Sequence, residues 1–370
     1  MNHYHHSTAL RCQVIHLGVR KTWTTKKIRI AESGQNLINR ISFAVNRLGY
    51  SKRTEQTYRY WIKYFLNYNR TTPAQGLCTE DINRFLQHIS NRNKSASTLN
   101  AAINAINFFF KHVLEREMGQ LDPILRPKSP TNLPVVFTHQ EAMKILRAMH
   151  GTHRLMASIL YGSGLRISEC VQLRVKDVDL SLRTIHVKCT KGKKDRVTLF
   201  PEKLIRPLSQ QIQWRKSLHD YDLSLGEGYV VLPYSLRKKY PAAERALGWQ
   251  YLFPSAIARV DKTFNVKRRW YTSTRTLQKA VKRAIQITGV HKHGSCHTFR
   301  HTFATELLRA GYDIRTIQEL LGHTSVQTTQ IYTHVVKQGP NEVRSPLDWV
   351  VLGWHIYCYP KVRFTYSSAI

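Results

Sequence analysis

Acidic residues are scarce in this chain: 23 Asp plus Glu stand against 57 Lys plus Arg in 370 residues, a formal charge of +34. Self-repulsion at that charge disfavours a compact monomer, and a polyanion relieves it, so nucleic acid is the expected partner, held through salt-sensitive phosphate contacts. Packaging proteins of ribosomal or chromatin type share such a charge but seldom carry seven Trp and a patterned helical core. Cysteine is sparse and scattered, at 12, 78, 170, 189, 296 and 358, with no C-x-x-C pair. That pattern suggests neither a disulfide framework nor a zinc ribbon, and it fits buried thiols in a reducing compartment. No apolar run reaches membrane-span length; WVVLGWHIYCY at 349–359 is too short. G-x-x-x-x-G-K-[ST] is missing, so no ATP-binding loop is expected. No spaced Asp/Glu set suggests a two-metal nuclease, since Asp177 and Asp179 read as local helix termination.

Residues 1–34 show no sustained periodicity, and their first acid is Glu32. They read as a disordered basic arm rather than a transit peptide. From 35 to 119 the pattern is helical. In YRYWIKYFLNYNR, Tyr58, Trp61, Phe65 and Tyr68 share one face, and Arg59, Lys63 and Arg70 another. Thr79 is the expected cap of the next helix, with Ile82, Phe85, Leu86 and Ile89 as its stripe. Ser95 opens a third helix, striped by Ile103, Ile106, Phe110 and Val113 and stopped by Gly119. Pro123, Pro127, Pro130 and Pro134 mark a linker at 120–134. A capping box at Thr138 and Glu141 restarts the chain as helix. Gly162-Ser163-Gly164 interrupts that run before a new helix near Leu165. Ile185, Val187 and Cys189 then alternate with polar residues, as do Val197 and Leu199, predicting a hairpin with TKGKKD at its tip. The fold class is therefore mostly α with a small antiparallel β-sheet, α+β.

CHTFRHTFAT at 296–305 holds the densest chemistry. His297 and His301 have the i, i+4 spacing of zinc helices, but the Glu of H-E-x-x-H is missing and Arg300 between them would repel a dication. No metal and no cofactor are expected, and the guest of this segment reads as an anion. His301 is expected only to pack or support, and Cys296 to do neither. Arg166 follows the Gly-Ser-Gly break and Lys191 sits on the hairpin tip. His297 and Arg300, then His323 after a helix-ending Gly322, then Tyr332, complete a set of two Arg, one Lys, two His and one Tyr. Phosphodiester cleavage by a tyrosine needs such a set. The phenol attacks phosphorus, guanidiniums hold the non-bridging oxygens, and a lysine gives the leaving oxygen its proton.

YGSGLRISE, TKGKKDRVTL, HTFRHTFATELL and ELLGHTSVQTTQIYTH resemble the tyrosine recombinases of the phage-integrase and Xer type over residues 35 to about 348. The resemblance implies a two-domain DNA clamp: a helical core-binding domain at 35–119 and a catalytic domain at 135–348. It implies Tyr332 as nucleophile, Arg166 and Arg300 on the phosphate, Lys191 as general acid, and His297 and His323 assisting. It further implies a 3′-phosphotyrosyl intermediate and a homotetramer on DNA, in which residues 335–348 dock on a neighbour by helix exchange. A bacterial cytoplasmic, nucleoid-associated enzyme follows.

WQYLFPS at 249–255, RRWYTSTRTLQKAVKRA at 268–284 and GPNEVRSPLD at 339–348 look like integron integrases, which join folded single-stranded attC hairpins to attI sites and move gene cassettes. In that group an added helix in this segment recognises flipped-out bases, and Trp249 matches an aromatic that stacks on one. Arg268, Arg269, Lys193, Lys194, Arg59 and Lys63 are the further candidate DNA contacts. The chain departs from that group where Asp261-Lys262 replaces Asp-Pro and where Trp270-Tyr271 replaces His-His. Both departures bear on substrate choice rather than cleavage. Residues 349–370 have no recognised counterpart. A duplex-acting Xer or phage-type recombinase and a DNA-binding protein unable to cleave remain as alternatives.

Overall fold

The computed structural model describes residues 32–92, 95–119, 133–188, 195–232 and 234–337. The basic arm, nearly all of the proline linker, Lys191, Lys193 and Lys194 at the hairpin tip, and the segment from 338 onward lie outside the described residues. The chain divides into two compact units, Met1–Thr131 and Asn132–Ile370.

Among the described residues the first unit holds four α-helices: α1 (Glu32–Arg47), α2 (Lys52–Tyr68), α3 (Thr79–Ser90) and α4 (Ala96–His112). Ser51 and Ser95 cap α2 and α4 by accepting from the Thr54 and Thr98 backbone N–H groups. Each helix turns one stripe inward, and Ile41, Ile62, Phe65, Phe85, Ile106 and Phe109 meet with no exposure at all. Three details differ from the sequence reading. The N-cap of α3 is Cys78, because the Asp81 carboxylate turns back to accept its backbone N–H at 3.0 Å. Helix α4 ends at His112, before Gly119 is reached. Tyr68 is 40 % exposed and stands outside the core.

The second unit begins with α5 (His139–Arg147), started by the Thr138–Glu141 capping box, and α6 (Gly151–Ser163). Gly164 ends α6 at φ +63, where a Cβ would strike the Phe303 ring at 2.4 Å, so only glycine lets the chain turn there. α7 (Ile167–Val171) follows, then a three-stranded antiparallel sheet of β1 (Val178–Asp179), β2 (Thr184–Val187) and β3 (Arg196–Leu199). Ile185 and Val187 face the core as expected. On β3 the inward residue is Thr198, 1 % exposed and bonded to the Ser163 carbonyl, whereas Val197 and Leu199 face outward.

α8 (Ile205–Ser224) and the short α9 (Tyr234–Lys239) lead to a second, two-stranded sheet, β4 (Arg259–Asp261) with β5 (Val266–Arg268). The stretch 255–271 is therefore a hairpin. α10 (Thr274–Thr288), α11 (Cys296–Arg309), α12 (Ile314–Leu321) and α13 (Gln327–Lys337) are the last elements among the described residues. The main core lies among α5, α6, α10 and α11 around Ile145, Ile159, Leu160 and Phe299. A smaller core of Phe303, Ala304, Ile317 and Leu321 encloses Tyr332. The molecule is mostly helical with small antiparallel sheets.

Candidate active site

One carboxylate organises the site. Glu169 lies one turn into α7 and its side chain is 12 % exposed. Its Oε2 accepts the backbone N–H of Arg166, the N-cap residue of that helix, at 2.8 Å, and its Oε1 accepts from the Arg166 guanidinium at 2.8 Å. Arg196 reaches it from β3 with two parallel bonds of 3.0 and 2.7 Å. Arg300 Nη1 lies 3.8 Å from Oε2. Three guanidiniums thus share one carboxylate, which leaves the cluster strongly positive and suited to an anion. Burial alone would raise Glu169, but hydrogen bonds and charge from Arg196, with further bonds from Arg166, hold it at about 2.

Arg300 projects from α11 and is 1 % exposed. It donates to the Gly164 and Leu321 carbonyls, each at 2.6 Å, and to His323 Nε2 at 3.1 Å. Burial, reinforced by Arg166, lowers it to about 9. A guanidinium only donates, so His323 Nε2 must accept. Its Nδ1 then carries the proton and donates to Thr329 Oγ1 at 3.0 Å. His323 is a neutral imidazole of fixed tautomer, held at about 3 by burial and by Arg300, Arg166 and Arg196. Gly322 places it. At φ +63 the α12 cap turns left-handed, and a Cβ there would lie 2.8 Å from Arg196 Cδ.

Tyr332, on α13, is 2 % exposed, and its ring stacks near His323 with centroids 6.4 Å apart. Its hydroxyl is 2.9 Å from Nδ1 of His301. Burial raises the phenol above its ordinary value, against the pull of Arg300 and Arg166. His297 is exposed and packs edge-on to His301 at 4.8 Å. The structure therefore gathers Arg166, His297, Arg300, His323 and Tyr332 around one positive cluster, while Lys191 lies outside the described residues. Sequence reasoning missed Glu169, Arg196 and Thr329. The available signals were the i, i+3 spacing of Arg166 and Glu169, and an arginine directly after the basic hairpin tip.

Residues 135–338 match the phage integrase family, and residues 37–120 match the N-terminal SAM-like domain of phage integrases. An integrase/recombinase of Escherichia coli is 42% identical over 313 residues, covering 84% of this chain and 93% of its own. The tyrosine recombinase XerA of Thermococcus kodakarensis is 32% identical over 291 residues, 78% of this chain and 86% of its own. The chain belongs to the phage integrase family. It is a tyrosine site-specific recombinase that acts on DNA. The recombinase shares its fold with XerH bound to palindromic difH substrate, at TM-score 0.56 and 21% identity over 82% of this chain and 86% of that one. A lambda integrase dimer bound to a core site shares it at TM-score 0.53 and 15% identity, over 80% and 94% of the two chains.

The candidate DNA contacts of the recombinase divide. Trp249 is half-buried beside a cavity of about 240 Å³, with the ammonium groups of Lys176 and Lys188 over its ring at 2.9 and 5.1 Å from the centroid. On α2, Arg59 pairs with Glu55 at 3.3 Å and shares a groove with Lys52, Tyr60 and Lys63. Arg268 and Arg269 are corrected. Arg268 is 2 % exposed and lies between Glu244 and Asp261, at 3.5 and 3.4 Å. Arg269 grips both carboxylate oxygens of Asp222 at 2.7 and 2.8 Å and donates to the Ala256 carbonyl at 2.7 Å. Through these acids both guanidiniums anchor the β4–β5 hairpin. Among the described residues no helix is long and apolar enough to cross a membrane, and no group of three or more His, Cys, Asp or Glu is placed to hold a metal ion.

These buried groups predict acid sensitivity. His301 is held at about 4 by burial, His297 and Arg300, and His323 at about 3, against an ordinary 6.5. Below pH 6.5 the unfolded chain therefore binds protons that the native site refuses, and stability falls with pH. Glu169, depressed from 4.5 to about 2, adds a further loss below 4.5. Melting temperature should change little between about pH 7 and 8 and fall steadily on acidification. A melting temperature that rises between about pH 7 and 5 would contradict these assignments.

Proposed function

We propose that the recombinase is of integron type, joining attC hairpins to attI or attC sites through a 3′-phosphotyrosyl intermediate at Tyr332. The observation that carries the chemistry is the arginine cluster around Glu169 beside the buried Tyr332 hydroxyl. The phenol oxygen attacks phosphorus. Arg166 and Arg300 hold the non-bridging oxygens, whose charge grows in the transition state. Lys191 supplies a proton to the departing 5′ oxygen, and His297 and His323 orient the phosphate and the guanidiniums. Arg196 belongs with them, as the group that keeps Glu169 ionised and in place. A homotetramer assembles on DNA, with residues 335–348 docking on a neighbour.

The attC preference is supported by the 249–284 segment, in which Trp249 borders a cavity flanked by cations and the hairpin presents exposed Ile257, Val260 and Phe264. An unstacked base that displaces Lys176 from the indole face would keep its phosphate near Lys176 and Lys188. The test is covalent trapping on suicide substrates carrying top-strand or bottom-strand attC hairpins. Bottom-strand adducts that depend on Tyr332 are expected; equal trapping of both strands, or none, contradicts the integron reading.

The 32% identity to XerA favours a second reading, a recombinase of duplex sites. Trp249→Ala separates the two. Loss of a base stack worth roughly 1–3 kcal/mol should weaken attC hairpin binding about 5- to 150-fold and leave duplex binding unchanged. An equal loss on both substrates favours the duplex reading.

A further inference from the structure

His301 was expected to do no more than support its neighbours, yet its Nδ1 meets the Tyr332 hydroxyl at 2.9 Å. The other histidines are placed differently. His323 has both ring nitrogens engaged, by Arg300 and by Thr329, so it cannot take a proton without breaking that chain. His297 is exposed and sits edge-on to the His301 ring. We infer that His301 is a catalytic residue, the base that receives the Tyr332 proton during strand cleavage and returns it during strand joining. The inference rests on the proposed role of Tyr332 as nucleophile.

The step balances without any further reactant. As Tyr332 Oη forms its bond to phosphorus, its proton passes to Nδ1 of a His301 that carries its own hydrogen on Nε2. The bond from phosphorus to the 5′ oxygen breaks, and that oxygen takes a proton from Lys191. In joining, the 5′ hydroxyl attacks and returns its proton to the neutral Lys191 amine, the phosphotyrosyl bond breaks, and imidazolium His301 protonates the leaving phenolate. In the DNA-free site, burial and the charges of His297 and Arg300 keep the imidazole neutral and able to accept. The scissile phosphate brings a negative charge opposite Arg300 and offsets that cation, so basicity rises where the proton must move. The geometry also fixes direction, because α11 and α13 pack against each other through Phe303, Ala304 and Tyr332 and hold the two side chains in register.

A base differs from a group that only positions the phenol, and substitution can separate them. His301→Asn can place an amide near the position of Nδ1 and hold the hydroxyl without accepting its proton. His301→Ala removes both functions. Cleavage by each should fall about 100-fold or more on an ordinary phosphodiester. A substrate with sulfur at the bridging 5′ position has a leaving group that needs no proton. It should restore Lys191→Ala and leave both His301 variants slow. The assignment is overturned if His301→Asn cleaves at the wild-type rate, or if the bridging sulfur restores the His301 variants. If His301→Ala does not fold, His301→Gln takes its place under the same criteria. Tyr332→Phe is the control that separates failures. A wild-type protein forming no adduct at Tyr332 overturns the nucleophile reading. Normal adduct formation in both His301 variants overturns the base alone.

Discussion

Tyr332→Phe is expected to leave a folded, DNA-binding protein that captures no DNA covalently. The substitution removes a single oxygen. The ring, 2 % exposed, keeps its packing against Phe303, Ala304, Ile317 and Leu321. The hydrogen bond to His301 is lost, at a net cost of about 0.5–1.5 kcal/mol. The chemical loss is of another order. Removing the nucleophile of a well-studied protease costs on the order of 10⁶ in rate, so covalent adducts should vanish below detection on a denaturing gel. Gel-shift affinity for the same DNA should stay close to wild type, because the phosphate contacts are intact. A protein that binds DNA without cleaving it predicts the opposite pattern, in which wild type and variant are indistinguishable in both assays.

Glu169→Ala should be the most destabilising single change in the site. The carboxylate receives two guanidinium bonds from Arg196, one from Arg166 and the charge of Arg300. Its removal leaves three cations facing one another in a largely buried space. Breaking a buried ion pair by deleting one partner costs about 3–5 kcal/mol. At roughly 2–4 °C per kcal/mol for a unit of this size, melting should fall by about 6–20 °C. The sign of the remaining charge gives a second readout. An anion can occupy the place of the carboxylate, so inorganic phosphate should raise the melting temperature of Glu169→Ala more than that of wild type. Glu169→Gln keeps one acceptor oxygen and should lose less. Unchanged melting in Glu169→Ala would mean that the three arginines are held by something other than this carboxylate.

Much of this was legible in the sequence, and the failures have specific causes. The stripes of α3 and α4, the caps at Thr138 and Ser95, and the left-handed Gly322 follow from period and local chemistry, which neighbours in the chain decide. In β3 the alternation gave the period but not the side. Arg196 and Thr198 take the inner face because one reaches Glu169 and the other the Ser163 carbonyl, so Val197 and Leu199 are turned outward. Arg268 and Arg269 looked like DNA contacts because basic residues are usually solvated. Their partners Asp222, Glu244 and Asp261 come from separate segments, and no local spacing announces that pairing. Glu169 was hidden for a related reason: in one dimension it is an ordinary first-turn acid, and only the arrival of β3 and α11 makes it the centre of the site. The catalytic set itself was readable as an ordered group of residue types, whereas the hydrogen bond of His301 to Tyr332 depends on how α11 faces α13.

The central claim is that the Tyr332 oxygen becomes the phosphoryl carrier within this arginine cluster. Tandem mass spectrometry of the wild-type protein trapped on a suicide DNA substrate tests it most directly. A single nucleotide adduct is expected on the peptide containing Tyr332, carried through the 3′ phosphate. An adduct on any other residue, or release of both cut ends with no protein attached, would contradict it.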